Sequence, residues 1–275
     1  MLIGTSRPLR TAMLFALSFV AILIVLVQIS TVGAEPIEPD GRTDTRVEKH
    51  GDTTDVTTDT MRGDTGYNSF SRFNVKEGRT VNLYLPGSTN SLLNLVHDEQ
   101  TRIDGLLNAY KNGHIGGNIF FMNPHGIVVG ESGTLNVGSL AASTPTPEFM
   151  NELIDPAGNI SAAHTEQVMD GSVPLTDSGF VRIAGSVNAA GDVDVNAGSV
   201  AVSASGEITA GPHGRARFEA LVNTDGLRTD EGNTTLTAPG DINLSAGKDT
   251  VVEGSVRADG ADGVDGGKGG IRADR

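Results

Sequence analysis

Cysteine and tryptophan are missing from this 275-residue chain, and aromatic residues of all kinds make up only 4% of it. Without cysteine the chain has no disulfide, no thiolate nucleophile and no cysteine for lipid attachment. With so few rings, a globular core built on large aromatic side chains is not expected. The 36 glycines and the many small and β-branched residues favour a narrow core of Val, Ile, Leu and Ala.

Positive charge is also scarce, because 20 Lys and Arg residues face 34 Asp and Glu residues, for a formal net charge of -14. Nucleic-acid phosphates are bound by clustered basic side chains, so this balance argues against a nucleic-acid partner. The chain has no Gly-x-Ser-x-Gly, no His-Glu-x-x-His and no phosphate-binding loop, and its six histidines are scattered singly. The sequence therefore predicts no catalytic residue, no metal site and no cofactor.

The first 34 residues predict an export signal. Arg7 and Arg10 precede the apolar run of residues 12–27, and small residues then lead to Ala34, directly before Glu35. This order is typical of a signal peptide cleaved between Ala34 and Glu35. Residues 11–34 are also uncharged and long enough to span a bilayer, so a retained membrane anchor is the alternative. Both interpretations predict that the remainder leaves the cytoplasm.

Residues 35–66 are polar, rich in Asp and Thr, and show no apolar period. This composition predicts an exposed, poorly ordered lead-in. The stretch contains Arg62-Gly63-Asp64, a tripeptide that some integrins bind when it lies on a mobile loop. Three common residues in such a stretch also arise by chance, so a solvated linker is the favoured interpretation.

The clearest strand signal lies in residues 116–143. Residues 119–122 are a continuous apolar run that ends at Asn123-Pro124, where proline has no amide hydrogen for a ladder. Gly126 can take a positive φ, so a second strand is expected at 127–129, and a third around 135–137. The pattern predicts short strands joined by tight corners.

Short alternating runs separated by Gly or Asn recur from residue 179 to residue 257, which indicates a solenoid. Short runs and small residues favour a parallel β-helix over a sandwich, with coils about 4.8 Å apart. Most aromatic residues fall early in the chain, which predicts a cap over the first coil at residues 67–85. Asn94 and Asn108 are expected to stack at corners.

Two stretches depart from the strand pattern. Thr146-Pro147-Glu148 is typical of a helix start, and the apolar residues 149, 150, 153 and 154 then fall at helical spacing before Asp155-Pro156. A short amphipathic helix packed against the side of the stack is expected. His97-Asp98-Glu99 places a histidine beside two carboxylates, which suits acid and base chemistry. No nucleophile or ligand spacing accompanies it, so an exposed loop is predicted.

Residues 118–130, NIFFMNPHGIVVG, followed by LNVGSL at 135–140, resemble the amino-terminal secretion domain of two-partner-secreted exoproteins, the filamentous haemagglutinin type. The resemblance runs from about residue 67 to the end. The family's turn usually reads Asn-Pro-Asn-Gly, so His125 is a departure. The His-Gly form, with the Ser-Thr-Pro-Thr-Pro of residues 143–147, is similar to leukotoxin-family filamentous adhesins.

The resemblance implies an all-β, right-handed parallel β-helix with an N-terminal cap, a short helical insertion and roughly nine coils of about twenty residues. It implies a non-enzymatic adhesin head, secreted or on the surface of a Gram-negative bacterium, that reaches a partner outer-membrane transporter through the periplasm. The transporter's periplasmic domains would bind the unfolded or nascent domain. The family's secretion motif falls on Asn123, Pro124, His125 and Gly126. A host-cell receptor or glycan is a further expected partner.

The predicted organisation is a signal peptide at 1–34, the lead-in at 35–66, the secretion domain at 67–253 and a Gly-rich end at 254–275. The order of Gly and Asp in the last part does not match a calcium-binding nonapeptide. Because solenoid ends need capping, the chain is expected to be cut short or to head a longer protein. The alternative function is a secreted β-helical polysaccharide-active enzyme, for which Asp192 and Asp194 point the same way along a strand.

Overall fold

The computed structural model describes residues 36–203 and 205–210 in full, and five later strands by their backbone. Strands dominate the described residues, and nearly all of them pair in parallel with the strand one turn earlier and one turn later. Each turn passes through up to three sheets, so the described chain winds as a parallel β-helix. The fold class predicted from the sequence is confirmed.

The strands that build the first five turns are short and follow one another closely. Turn 1 holds the long β5 and β6, turn 2 holds β7 to β9, turn 3 holds β11 to β13, turn 4 holds β14 to β16 and turn 5 holds β17 to β19. Their bounds are β5 (Thr65–Val75), β6 (Thr80–Tyr84), β7 (Ser91–Val96), β8 (Thr101–Ile103), β9 (Leu106–Lys111), β11 (Asn118–Met122), β12 (Ile127–Val129), β13 (Thr134–Val137), β14 (Ser139–Ser143), β15 (Phe180–Ile183), β16 (Ser186–Ala189), β17 (Val193–Ala197), β18 (Ser199–Val202) and β19 (Glu207–Thr209).

Three sheets run along the solenoid. Sheet I contains the first part of β5 and then β7, β11, β14 and β17, while sheet III contains the end of β5 and then β8, β12, β15 and β18. Sheet II contains β6, β9, β13, β16 and β19. The remaining strands are β10 (His114–Ile115), a hairpin arm on β9, and the backbone strands β20 (Ala216–Ala220), β21 (Thr235–Thr237), β22 (Ile242–Ala246), β23 (Ser255–Arg257) and β24 (Gly269–Ala273), which continue sheets I and II.

Equivalent positions on successive turns lie in register, so like side chains stack in the core. Ile119 lies opposite Leu92 on the turn before and Leu140 on the turn after, and all three side chains are buried. Burying a side chain of this size contributes roughly 1.5–3 kcal/mol. Because neighbouring residues on each strand point to opposite faces, one set fills the narrow interior and the other faces outward.

The N-terminal cap differs from the one that the sequence predicted. Residues 35–66 were expected to be poorly ordered, but they hold four strands, β1 (Ile37–Pro39), β2 (Thr45–His50), β3 (Thr53–Thr58) and β4 (Met61–Arg62). β1 pairs antiparallel with β5, and the β2–β3 hairpin adds to the first edge of sheet II. The prediction was wrong because strands at a solenoid end bury few side chains and therefore show no apolar period. Residues 67–85 form turn 1 itself, where the rings of Phe70 and Phe73 meet with centroids 5.1 Å apart.

A ladder of asparagines runs along the outer face of sheet II. Nδ2 of Asn82 donates to Oδ1 of Asp55 over 2.8 Å, and Nδ2 of Asn108 donates to Oδ1 of Asn82 over 3.1 Å. Asn136 donates to Asn108 over 2.9 Å, and Asn188 donates to Asn136 over 3.0 Å. Every amide donor therefore points to the preceding turn, and a carboxylate closes the series. Asn108 stacks as predicted, although on a strand rather than at a corner.

Asn94 stacks as well, but inside the core. It lies in β7, is fully buried, and accepts a hydrogen bond on Oδ1 from Nδ2 of the equally buried Asn68, over 3.0 Å. Nδ2 of Asn94 donates to the backbone oxygen of Phe120 over 3.2 Å, and Oδ1 of Asn68 accepts from the Thr45 hydroxyl over 2.9 Å. These partners offset the cost of burying two polar side chains.

The insertion between β14 and β15 contains two helices, α1 (Pro147–Leu153) and α2 (Ala162–Asp170). The first is the predicted one, with Thr146 as its N-cap. The second was missed, because Val168 is its only buried residue and no apolar stripe marks it. The apolar side of the insertion covers the outer face of sheet I in a second cluster, made by Tyr67, Leu93, Leu95, Met122, Phe149, Met150, Leu153, Ile154 and Val168.

Candidate functional site: the Asn-Pro-His-Gly corner

The turn of residues 123–126 forms the corner where turn 3 passes from sheet I to sheet III. The strand β11 ends at Met122 and β12 begins at Ile127, so the whole change of direction falls within four residues. The Gly126 amide donates to the Asn123 carbonyl over 3.1 Å and closes the turn. Gly126 has a φ of 102°, and a Cβ there would lie 2.8 Å from the Phe180 carbonyl oxygen. Only glycine fits this position without strain.

Asn123 connects three parts of the corner. Its side chain is fully buried, and Nδ2 donates to the Glu99 carbonyl over 2.8 Å and to the Thr101 hydroxyl over 2.9 Å. Its Oδ1 accepts a hydrogen bond from the His125 amide over 2.8 Å. Its own amide donates to the Ser143 carbonyl over 3.0 Å. Asn123 therefore fastens turn 3 to turn 2 through its side chain and to turn 4 through its backbone.

Of the four motif residues, His125 alone is exposed, while Asn123, Pro124 and Gly126 are buried. The His125 ring donates through Nε2 to the His97 carbonyl over 3.0 Å, which links the corner to the same corner of turn 2. A folded domain thus offers an external partner one side chain of the motif. The other three residues are accessible only before this corner has formed.

His97 lies beneath the motif, where the sequence predicted an exposed loop. Its side chain is only 7% exposed, and Nε2 lies 3.7 Å from Oδ2 of Asp40 in the cap. Burial, together with the nearby Arg42 guanidinium, lowers the pKa of His97 to about 4. The prediction was therefore wrong for His97, because the cap, which the sequence did not reveal, covers it.

Glu99, by contrast, is exposed as predicted and pairs with a neighbour on turn 1. Nε of Arg72 donates to Oε2 of Glu99 over 2.7 Å. This hydrogen bond lowers the pKa of Glu99 below its usual value. Asp98 is exposed too, so the three residues diverge and do not converge on one point as an acid and base pair would.

The cap and the insertion meet beside this corner. Nη1 of Arg42 donates to Oδ1 of Asn151 over 2.7 Å and to the Ile154 carbonyl over 3.1 Å, while Nε of Arg42 lies 3.2 Å from Oδ2 of Asp40. The Tyr67 hydroxyl lies 3.0 Å from the Thr165 hydroxyl of α2. Cap, first turn and insertion are therefore bonded to one another directly.

The other predicted sites fall in separate places. Ala34 and Glu35 lie outside the described residues. Arg62 ends β4, and Gly63 and Asp64 form the exposed turn that leads to β5. Nη1 of Arg62 donates to the Ile160 carbonyl over 2.8 Å. Asp192 and Asp194 line a cleft of about 300 Å³ between sheet I and α2.

The partners of Asn123 were not predicted from the sequence. Glu99 and Thr101 lie one full turn earlier in the chain, and Asp40 and Arg42 lie in the cap. No local sequence pattern predicts these contacts, because they depend on the register between successive turns.

Comparison with known proteins assigns the chain to a class. A family model described as the TPS secretion domain, where TPS denotes two-partner secretion, matches residues 35–269. The chain belongs to this family, and the resemblance identified from its sequence is confirmed. The family is one of secretion-targeting domains and is not an enzyme family, and membership supports targeting for two-partner secretion.

Among solved structures, the HMW1 secretion domain from Haemophilus influenzae matches at 16% sequence identity with a TM-score of 0.36. The match covers 84% of this chain and 64% of the HMW1 secretion domain, so this chain spans less than two thirds of the length of that domain. A search of curated protein sequences found no match. Within the described residues, no helix has the length and apolar character needed to cross a membrane.

Proposed function

We propose that the periplasmic domains of a partner outer-membrane transporter recognise this chain through Asn123, Pro124, His125 and Gly126 while the domain is still unfolded. Family membership supports the transporter as the partner. The observation that supports the unfolded state is the burial of three motif residues, including the complete burial of Asn123. A partner that reads those side chains must meet them before the corner closes.

In this proposal the motif has two successive roles. Before folding, the extended segment from residue 118 onward adds to an exposed sheet edge of the transporter, as strand-forming peptides do. After passage, the same residues close the corner and order turn 3 between its neighbours. Folding on the outside then hinders return and gives export a direction.

The test is release into the culture medium. The chain is expressed with and without the candidate transporter, and native protein is compared with Asn123→Ala. We expect release that requires the transporter and falls in the variant. Release that is independent of the transporter, or that is indifferent to Asn123, contradicts the proposal.

Because Asn123 also stabilises the fold, a stability-matched control is needed. Leu135→Ala removes a core side chain from the same turn without touching the motif, and we expect it to cost roughly 2–5 kcal/mol. If the transporter reads the motif in the unfolded chain, Leu135→Ala is exported far better than Asn123→Ala at equal stability. Equal export of the two variants would mean that stability, and not recognition, sets the requirement.

The route to the transporter begins with the N-terminal segment. The proposal places signal cleavage between Ala34 and Glu35, followed by passage through the periplasm, because the charged, apolar and small residues occur in that order. N-terminal sequencing of released protein should begin at Glu35. Protein that stays with the cells and begins at Met1 contradicts cleavage and favours the retained anchor.

The proposal extends to adhesion, which the resemblance of residues 143–147 to filamentous adhesins supports. The exported protein would contact host cells through a surface receptor or glycan. Binding of the purified protein to cultured epithelial cells and erythrocytes tests this directly. Cells that bind no more of it than of an unrelated β-helical protein would contradict an adhesive role for this region.

A further inference from the structure

A long groove runs along the outer face of sheet III. It consists of two adjoining clefts of about 740 and 590 Å³ that share Gln100, Arg102 and Asp104. The rest of the lining comes from turns 1 to 4, so the groove follows the direction in which the turns are stacked. We call it the sheet III groove.

The base of the groove carries one apolar residue between two arginines. Val128 lies in register with Arg102 on the turn before and with Arg182 on the turn after. The partly exposed ring of Phe180 lies at the side of this base, and Ala184 adjoins it. A ligand that follows the groove therefore meets Arg102, Val128 and Arg182 in succession, with the partly exposed Phe180 ring in the same lining.

The polar groups are mixed in sign and in hydrogen-bonding role. Glu77, Asp104 and Glu131 supply acceptors, whereas Arg102 and Arg182 supply donors. Over both clefts, five carboxylates outnumber three cationic side chains, so an anion is disfavoured relative to a neutral molecule; the carboxylates are those of Glu77, Asp98, Glu99, Asp104 and Glu131, and the cations are Lys76, Arg102 and Arg182. Hydrogen-bond donors and acceptors beside the apolar Val128 and Phe180 suit a ligand that has many hydroxyl groups and also an apolar face. Hexose units have this combination.

The arginines are already held in position. Nε of Arg102 lies 2.6 Å from Oδ2 of Asp104, and Nε of Arg182 donates to the Ser203 hydroxyl over 3.1 Å. Side chains fixed before a ligand arrives lose less conformational freedom on binding, which favours affinity.

The repeat of the groove also fits a chain molecule. Successive turns of a β-solenoid lie about 4.8 Å apart, which is close to the length of one hexose unit in an extended glycan. Each sugar would then meet one turn of the protein. From these observations we propose that the sheet III groove binds a neutral linear oligosaccharide of about three to four units, one for each turn that lines it. This activity does not depend on the secretion role.

Binding can be measured with the full exported chain. The sequence contains no tryptophan, so Phe180→Trp places a single fluorescent reporter at the groove and keeps an aromatic ring there. The probes are maltotetraose, cellotetraose, mannotetraose and chitotetraose, with a tetramer of galacturonic acid as the anionic comparison. Affinity is then measured calorimetrically for the native chain, for Glu131→Gln and Gln100→Ala, and for Glu207→Gln as a matched control on sheet II.

We expect at least one neutral tetramer to bind, and each groove variant to bind it about fivefold or more weakly, since Gln100→Ala loses a hydrogen-bonding amide and Glu131→Gln replaces a carboxylate acceptor by an amide donor. Glu207→Gln should bind like the native chain, because Glu207 lies on another face. Export of Glu131→Gln should be normal, which separates this proposal from the secretion proposal. Failure of every neutral tetramer to bind at millimolar concentration overturns the inference. So does binding of the anionic tetramer alone, or equal affinity in groove and control variants.

Discussion

The Asn123 side chain provides a direct test of the corner's contribution to stability. Replacing it by alanine leaves the Glu99 carbonyl, the Thr101 hydroxyl and the His125 amide without their partner. Each lost hydrogen bond costs about 1 kcal/mol when the remaining groups are buried or half-buried, so the free energy of unfolding should fall by about 3 kcal/mol. That is a large share of the 5–15 kcal/mol that is usual for a domain.

The assay is urea unfolding of the purified chain, followed by far-ultraviolet circular dichroism. The transition midpoint should fall while the slope stays the same, because the surface exposed on unfolding is unchanged. Asn188→Ala is the matched control, since it makes the same replacement at an exposed residue whose side chain donates to Asn136. We expect it to cost no more than about 1 kcal/mol. A loss at Asn123 no larger than the loss at Asn188 would refute the reasoning.

Three further predictions concern stability. Between pH 6.5 and 4 the free energy of unfolding should fall by on the order of 3 kcal/mol more in the native chain than in His97→Gln. The reason is that His97 takes up a proton in the unfolded chain over this range, whereas the buried ring of the folded chain has a pKa of about 4 and stays largely neutral. Equal pH profiles of the two proteins in urea titrations would contradict this. Gly126→Ala should cost more than about 1–2 kcal/mol through its positive φ and the close Phe180 carbonyl, and an unchanged melting temperature would oppose it. Arg42→Met should cost about 1–2 kcal/mol and speed proteolysis within residues 144–179, and an unaltered digestion pattern would show that the insertion does not depend on Arg42.

Much of the fold could be predicted from local sequence. The apolar run ending at Asn123-Pro124 marked β11, and the glycine at 126 marked the start of β12, because proline and glycine act on the backbone beside them. The helix after Thr146 was found for the same reason, since cap, proline and apolar spacing all lie within eight residues. The solenoid itself followed from repetition.

The cap and the buried setting of His97 could not be predicted in this way. Strands β1 to β4 carry few buried side chains, so their order comes from pairing with β5 and β6 and not from their own composition. His97 is buried because Asp40, 57 residues earlier in the chain, and its neighbours cover it. Contacts of this kind depend on which distant segments become neighbours in space. The apolar period of a strand, two residues, or of a helix, 3.6 residues, does not indicate this.

The asparagine ladder on sheet II bears on the order in which a translocating chain assembles. Each amide uses an oxygen that the earlier turn must already present, and the series ends at Asp55 in the cap. If the N-terminus emerges first, the cap and each earlier turn can fold before the next turn arrives. The asparagine of every new turn then meets an acceptor oxygen that is already in place. Emergence in the opposite order would present the amide donors before their acceptor side chains on the earlier turn.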